Sequence, residues 1–454
     1  MQVVIAGGGI SGLAASYELR KAGVECVVVE TNGQLGGVIR TERIEGNVLE
    51  CGPDSFISTK PAALELIGEL GLADDVIGSN DDKRITYIRR DGKLIPLPEG
   101  MMMMVPTKVI PMAVSPLLGW RTKVRMGLEY FRKPPSAPLP DRSVTDFIRD
   151  HYGEETVDYL AEPLLSGVYG GDPGLLSVGA VLPRFVALET KHGSLTRGVL
   201  AQKAQGPAGG GGAIFRTMKS GLGTLVGKLT PPAKSVMLRS TVESIEAIKK
   251  GYRVRVNGNW LEARSVILTG PAYQAAKLIA SLDPQLAELL NDIDYSSTVT
   301  LNMGYRTSTL PKQLIGFGLL IPRKERKRMR ACTFVANKFS YRVADGWQVI
   351  RCFFGGTGDA AVLEESDDAI RQQAVDELKD LVGISVEPDF CSITRWPRSM
   401  AQYAVGHSAR MEEITARLKA LPGVFLAGNG YQGIGLPDCI QMGRAAAKSA
   451  IHLT

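Results

Sequence analysis

The residues that announce chemistry lie near the amino terminus. Gly7, Gly9 and Gly12 fall in the G-x-G-x-x-G spacing, and Glu30 closes the apolar run that follows. This set is suited to holding a ligand rather than attacking one. Gly7 permits a tight turn, Gly9 lets a pyrophosphate approach the backbone, and Gly12 lets the next helix lie close to the strand. Glu30 can accept hydrogen bonds from a ribose 2′-hydroxyl, and a carboxylate there argues against a 2′-phosphate. Acid–base, nucleophilic and metal chemistry find no comparable spacing. His151, His192, His407 and His452 form no triad or ligand pattern, and Cys26, Cys51, Cys332, Cys352, Cys391 and Cys439 include no C-x-x-C. The cysteines read as reduced thiols of a cytoplasmic protein, without a metal site. No side chain is assigned as a catalytic acid or base.

The elements that must position these residues follow from the flanking sequence. Val3, Val4 and Ile5 predict a strand buried on both faces of a parallel sheet, and Val27, Val28 and Val29 a second. Between them, residues 13–22 are strong helix formers. The free N–H groups of that helix's first turn, with Ile10 and Ser11, would point at the phosphates. Downstream, Gly36 and Gly37 precede Arg40 and Thr41. A second glycine pair allows another close backbone approach, and Arg40 offers a fixed positive charge for a phosphate or a flavin carbonyl. With this second loop the chain resembles the FAD-dependent amine oxidase superfamily, in which the acid at the strand end is followed by GG-x-x-R-[ST]. The resemblance implies FAD as cofactor.

A length of 454 residues suits two or three domains, and 44% hydrophobic with 22% charged residues describes a globular chain with a large core. The net charge of +6 is too small and dispersed to argue for nucleic acid, though it suits an acidic substrate or an anionic membrane face. The cofactor strand begins at residue 2, so no cleavable signal peptide is expected, and the chain is expected in the cytoplasm. Residues 101–120 carry one charge, Lys108, but Pro106, Pro111 and Pro116 would interrupt any spanning helix. Irregular core packing and shallow peripheral contact with the inner membrane face both stay open for this stretch.

Further along, residues 61–70 read as a helix, 86–97 as a hairpin turning at Asp91 and Gly92, and 144–160 as two helices, the first capped by Ser143. Residues 134–140 and 209–212 read as mobile connectors. Residues 240–248, 252–256 and 265–268 read as a three-strand unit, 278–291 as a helix and 298–305 as a strand. The basic run 323–330 is expected to be a solvated loop, with a phospholipid or propionate contact as the alternative. Residues 347–354 read as a buried strand and 367–381 as an amphipathic helix, and Trp396 follows a strand. Residues 424–427 form a last strand, followed by glycines at 428, 430, 433 and 435 and a helix from about 438. That helix would aim its N-terminus at the negative edge of a reduced flavin. The expected fold is therefore α/β. A discontinuous, Rossmann-like two-dinucleotide-binding FAD domain comprises 1–82, 214–294 and 412–454. A mixed α+β substrate domain comprises 83–100 and 295–411, and a mainly helical domain 101–213.

Four segments carry a closer resemblance: GPDSF at 52–56, AEPLLSGVYGGDP at 161–173, GFGLLIP at 316–322 and AGNGYQGIGLPDCI at 427–440. Together they resemble the porphyrinogen oxidase branch of the superfamily over nearly the whole chain. These enzymes oxidise a cyclic tetrapyrrole to its porphyrin, pass the electrons through FAD to molecular oxygen and release hydrogen peroxide. The resemblance implies that Val242, Trp396, Gly428, Asn429 and Gly435 complete the cofactor site. It also places the backbone of Gly167 against the tetrapyrrole, with Leu320 and Phe353 sandwiching the ring. Thr86 stands where many protoporphyrinogen-oxidising members carry a propionate-pairing arginine. PEGMMMMVPTK at 98–108 and KHGSL at 191–195 resemble instead the bacterial members acting on coproporphyrinogen III, whose extra propionates ask for a wider, wetter pocket with scattered cations. Coproporphyrinogen III is the preferred expectation and protoporphyrinogen IX the alternative. Contact with other heme-pathway enzymes is open. Two other readings remain. An amine or carotenoid oxidase would line its flavin with an aromatic pair, where GNGYQGIG offers only Tyr431. A non-catalytic escort protein would not need an intact pyrophosphate turn.

Overall fold

The computed structural model describes residues 2–137, 139–204 and 212–453; most of the 209–212 connector lies outside them. A five-stranded parallel sheet has the first strand, Val3–Ala6, at its centre. Cys26–Val29 and then Val236–Met237 lie on one side of it, Ser265–Leu268 and then Val424–Leu426 on the other. Three stretches far apart in sequence thus share one sheet. Both faces are covered, which is why the strand sequences run β-branched without alternation. Val3, Ile5, Val28 and Ile267 pack on the helices Ile10–Lys21 and Leu436–Ile451. Val4, Ala6, Val27 and Leu268 pack on an antiparallel three-stranded sheet that contributes Ile245 and Val254.

A second, seven-stranded mixed sheet runs in the order Phe390–Ala401, Tyr295–Arg306, Trp347–Gly355, Ala331–Phe334, Gly318–Leu320, Thr86–Arg90, Lys93–Pro96. Its pleat divides the side chains. Val299, Leu301, Cys352 and Phe354 bury one face against Ile370, Ala374 and Leu378 of the helix Asp367–Val382. Thr300 and its register partner Phe353 look the other way, into a cavity. The third body is helical. Ser143 accepts the Asp146 N–H at 3.0 Å to start the helix Val144–Tyr152. A single π-helical turn, Val157–Ala161, then leads into Glu162–Tyr169, which carries Gly167.

Several elements differ from expectation. Ser265–Leu268 belongs to the parallel sheet, and the third strand of the antiparallel unit is Asn259–Ala263. Its exposed Asn259 and Trp260 hid it from an apolar pattern. The single helix expected over 278–291 is two, Ala272–Ile279 and Pro284–Asn291, because Asp283 caps the second by accepting the Leu286 N–H at 3.0 Å. Trp396 lies inside its strand rather than after it. Residues 101–120 form two short strands, Met101–Met102 and Val105–Pro106, and the helix Val109–Val114. Met104, Met112, Leu117 and Leu118 enter the helical core. Among the described residues no helix is long and apolar enough to cross a membrane.

Candidate active site

The first glycine turn shows which of its members face a ligand. Gly7 has φ +117°, and a Cβ there would meet Thr269 Oγ1 at 2.6 Å. A Cβ on Gly12 would fall 2.0 Å from the Gly7 carbonyl, so Gly12 holds helix to strand and stays off the cavity wall. A Cβ on Gly9 would meet nothing within 4 Å. Gly9 borders the cavity with Ile10 and Ser11, and the helix starting at Ile10 has no side chain capping its N–H groups. An open, uncapped helix N-terminus facing a cavity fits a pyrophosphate. Glu30 lines the same wall. Its Oε2 accepts the Gly8 N–H at 2.7 Å, and its Oε1 accepts the Asn32 N–H at 2.8 Å and side-chain amide at 2.7 Å. One lone pair on Oε2 remains for a ribose hydroxyl.

The second loop packs directly on the first. The Gly36 N–H donates to the Gly8 carbonyl at 2.8 Å, and a Cβ on Gly37 would come 3.2 Å from Gly9 Cα. Both glycines reach the cavity. Arg40 does not: it is exposed, pairs with Glu42 and is absent from the cavity wall, so the positive charge expected beside the cofactor is turned outward. Val242, Trp396, Gly428, Asn429 and Gly435 all border the cavity. Trp396 Nε1 donates to the Cys51 carbonyl at 2.8 Å, and Asn429 Nδ2 to the Ser399 carbonyl at 2.8 Å. Gly435 begins the helix Leu436–Ile451, whose Asp438 is held by Lys60 at 2.6 Å. That N-terminus opens on the cavity from the far end of the chain.

The cavity measures about 1770 Å³. Small-molecule pockets are commonly about 300–1,000 Å³, so this one has room for a dinucleotide and a second large guest. Thr86, Gly167, Leu320 and Phe353 all line it. A Cβ on Gly167 would stand 3.3 Å from Leu320 Cδ2, so the missing side chain keeps that wall open. The cofactor glycines other than Gly12 and the four residues expected at the substrate therefore share one chamber.

The matches to known proteins fall in line with this geometry. The model of the flavin containing amine oxidoreductase family matches residues 10–451. The chain belongs to that family. Among curated members, coproporphyrinogen III oxidase of Bacillus subtilis (strain 168) is 33% identical over 99% of this chain and 97% of its own length. Coproporphyrinogen III oxidase of Propionibacterium freudenreichii subsp. freudenreichii is 31% identical over 99% and 90%. A crystal structure from Exiguobacterium sp. 255-15, provisionally assigned as a protoporphyrinogen oxidase, superposes with a TM-score of 0.88 at 30% identity over 99% of both chains. As a member of the family the chain is an FAD-dependent oxidoreductase. The glycine cradle, Glu30 and the two helix N-termini are the groups that fit FAD.

Several charged residues at the cavity are not singled out by any motif in the sequence. Asp54, Lys338 and Arg351 form a cluster on the wall. Burial would raise the Asp54 carboxyl, but Lys338 at 2.8 Å and Arg351 at 3.8 Å reverse this and hold it well below the usual carboxylate range. Burial pulls the Arg351 guanidinium down. Asp54 lay within GPDSF and could have been singled out; Lys338 carried no signal. Tyr403 and Tyr431 also reach the cavity, and Tyr403 stacks on His407 at 4.0 Å between ring centroids. Tyr431 is therefore not alone among tyrosines at the wall. Residues 101–120 contribute nothing to the lining. Of the basic run, only Arg330 lines the cavity.

Proposed function

We propose that this chain oxidises coproporphyrinogen III to coproporphyrin III, with molecular oxygen as acceptor and hydrogen peroxide as by-product. The single observation that carries this reading is the shared chamber, in which Gly167, Leu320 and Phe353 stand in one cavity with the cofactor glycines. Full-length identity to relatives named for that reaction supports it. When bound, FAD supplies the electron-accepting chemistry. The chain's residues bind and orient: Leu320 and Phe353 offer apolar surfaces to the macrocycle, and Gly167 leaves space for it. Proximity in a shaped cavity is worth several kcal/mol without any acid or base, on the order of 7–11 in favourable cases. Porphyrin fluorescence with coproporphyrinogen III against protoporphyrinogen IX tests the substrate. Faster turnover of the former is expected, and a strong preference for the latter sinks this choice of substrate.

The chain also carries a surface suited to an anionic bilayer. Val109, Ile110, Val114, Trp120, Leu128 and Phe131 are exposed on and beside the helices Val109–Val114 and Trp120–Glu129, with Val109 at 82%. Arg121 is exposed beside them, as is Lys108, which pairs with Glu99. An apolar ridge edged by cations fits shallow insertion among acidic headgroups. Cosedimentation with phosphatidylglycerol vesicles, lost in Val109→Ser with Trp120→Ser, is the expected result; equal partition of wild type and variant would refute the contact.

A further inference from the structure

The basic run at 323–330 is mostly neutralised on the protein itself. Arg323 pairs with Asp172 at 2.9 Å, Lys324 with Asp158 at 2.6 Å, Arg326 with Glu162 at 2.8 Å and Lys327 with Asp380 at 3.3 Å. Arg328 pairs with Asp359 and Glu365. Arg330 departs from this pattern. It is 6% exposed, lines the cavity, and among the described residues has no carboxylate within ion-pair distance. Its Nη2 donates to the Thr357 carbonyl at 3.2 Å, while Nε and Nη1 are buried without a partner. A guanidinium carries five N–H donors in a planar fork that matches a carboxylate. A buried cation left this incomplete is costly unless something else completes it.

The backbone around Arg330 fixes where that something would sit. The Arg330 N–H donates to the Phe353 carbonyl at 2.9 Å, and the Ile321 N–H donates to the Arg330 carbonyl at 2.8 Å. Arg330 is thus pinned between the strand bearing Leu320 and the strand bearing Phe353. A Cβ on Gly356 would fall 2.5 Å from Arg330 Cζ, so glycine there reserves the guanidinium's place. Burial and the nearby Arg326 and Arg323 push its pKa down to about 10, against the pull of Glu162 and Asp359. It remains a cation at neutral pH. Thr86, where an arginine would be expected from the resemblance, lies on the same sheet, in register with Gly318.

We propose that Arg330 receives an acidic side chain of the tetrapyrrole, supplying from the middle of the sheet the cation that Thr86 does not. This rests on the substrate class proposed above. The test uses FAD-loaded protein and titrates coproporphyrin III and its tetramethyl ester by fluorescence, with thermal melting of the same samples. Arg330→Met should weaken binding of the free acid about thirtyfold or more and leave the ester within about twofold. It should leave the melting temperature unchanged or raised, since an unpaired buried charge is removed. Arg330→Lys should recover part of the affinity. Arg330→Gln repeats the test if the methionine variant does not fold. Unchanged affinity for the free acid, equal loss for acid and ester, or a fall in melting temperature with loss of FAD would each overturn the proposal. Wild type failing to bind either porphyrin would overturn the substrate class as well, whereas tight wild-type binding with an indifferent Arg330→Met overturns Arg330 alone.

Discussion

Gly9 and Gly12 show how two members of one motif divide its work. Gly9 is extended, with φ −71°, and a methyl group there would meet empty space. Gly9→Ala should keep the apoprotein's melting temperature but lose flavin on desalting, read as the ratio of 450 nm to 280 nm absorbance. Gly12→Ala would drive a methyl to 2.0 Å from the Gly7 carbonyl and should lower stability itself by about 1–3 kcal/mol, with or without flavin. Equal effects of the two on melting would contradict this division. A similar argument applies to Gly356→Ala, whose methyl would collide with Arg330 and with the Gly170 carbonyl at 2.7 Å. Porphyrin affinity should fall while flavin retention holds. These residues differ in legibility for a physical reason. Gly7, Gly9, Gly12 and Glu30 act at close sequence range, so spacing reveals them. Arg330, Lys338 and Arg351 act through neighbours brought by distant strands, and a lone cation in sequence looks like any other. Arg40 is a different case, because the partner that takes its charge, Glu42, lies only two residues on.

Among the elements, the helical body is tied by a buried polar knot. His151 lies between Glu129 Oε1 at 2.9 Å and Glu189 Oε1 at 3.0 Å, joining the helices Trp120–Glu129, Val144–Tyr152 and Pro183–His192. Burial would raise the Glu129 carboxyl, but hydrogen bonds from His151, Ser194 and the Leu195 N–H hold it below its usual value. A depressed carboxyl contributes stability that is present above its unfolded pKa and is lost as pH falls through the folded value. The melting temperature should therefore drop as pH is lowered from about 5 toward 3. Glu129→Gln should cost about 1–3 kcal/mol at pH 7 and show a shallower acid slope; an identical slope would remove Glu129 from this account. Sequence periodicity anticipated the Val144 helix and its Ser143 cap. It could not anticipate the knot, nor the Asn259–Ala263 strand, because polar edges and long-range pairs leave no period.

At the scale of the molecule, the helices Ile10–Lys21 and Leu436–Ile451 lie close enough that a Cβ on Gly443 would stand 2.1 Å from the Ser11 carbonyl. Gly443→Val should push the two helices apart, lowering stability by about 1–3 kcal/mol and loosening flavin together with it, measured by melting and by flavin release. Retained flavin at full stability would show that the two chain ends are not mutually dependent. The paired Gly-rich strand-to-helix turns made this convergence readable in advance. The resemblance named Gly167, Leu320 and Phe353 on the chamber wall, but Thr300 and Arg351 were not readable, because they reach it through the pleat of a sheet whose strand order no local pattern encodes. The same convergence has a consequence for biosynthesis. Val3–Ala6 leaves the ribosome well before residues 424–451, and until those have been made its sheet lacks an outer strand and its cradle a second helix. Nascent chains must therefore wait, colourless and open, and truncated translation products lacking that last segment should fail to turn yellow when flavin is plentiful.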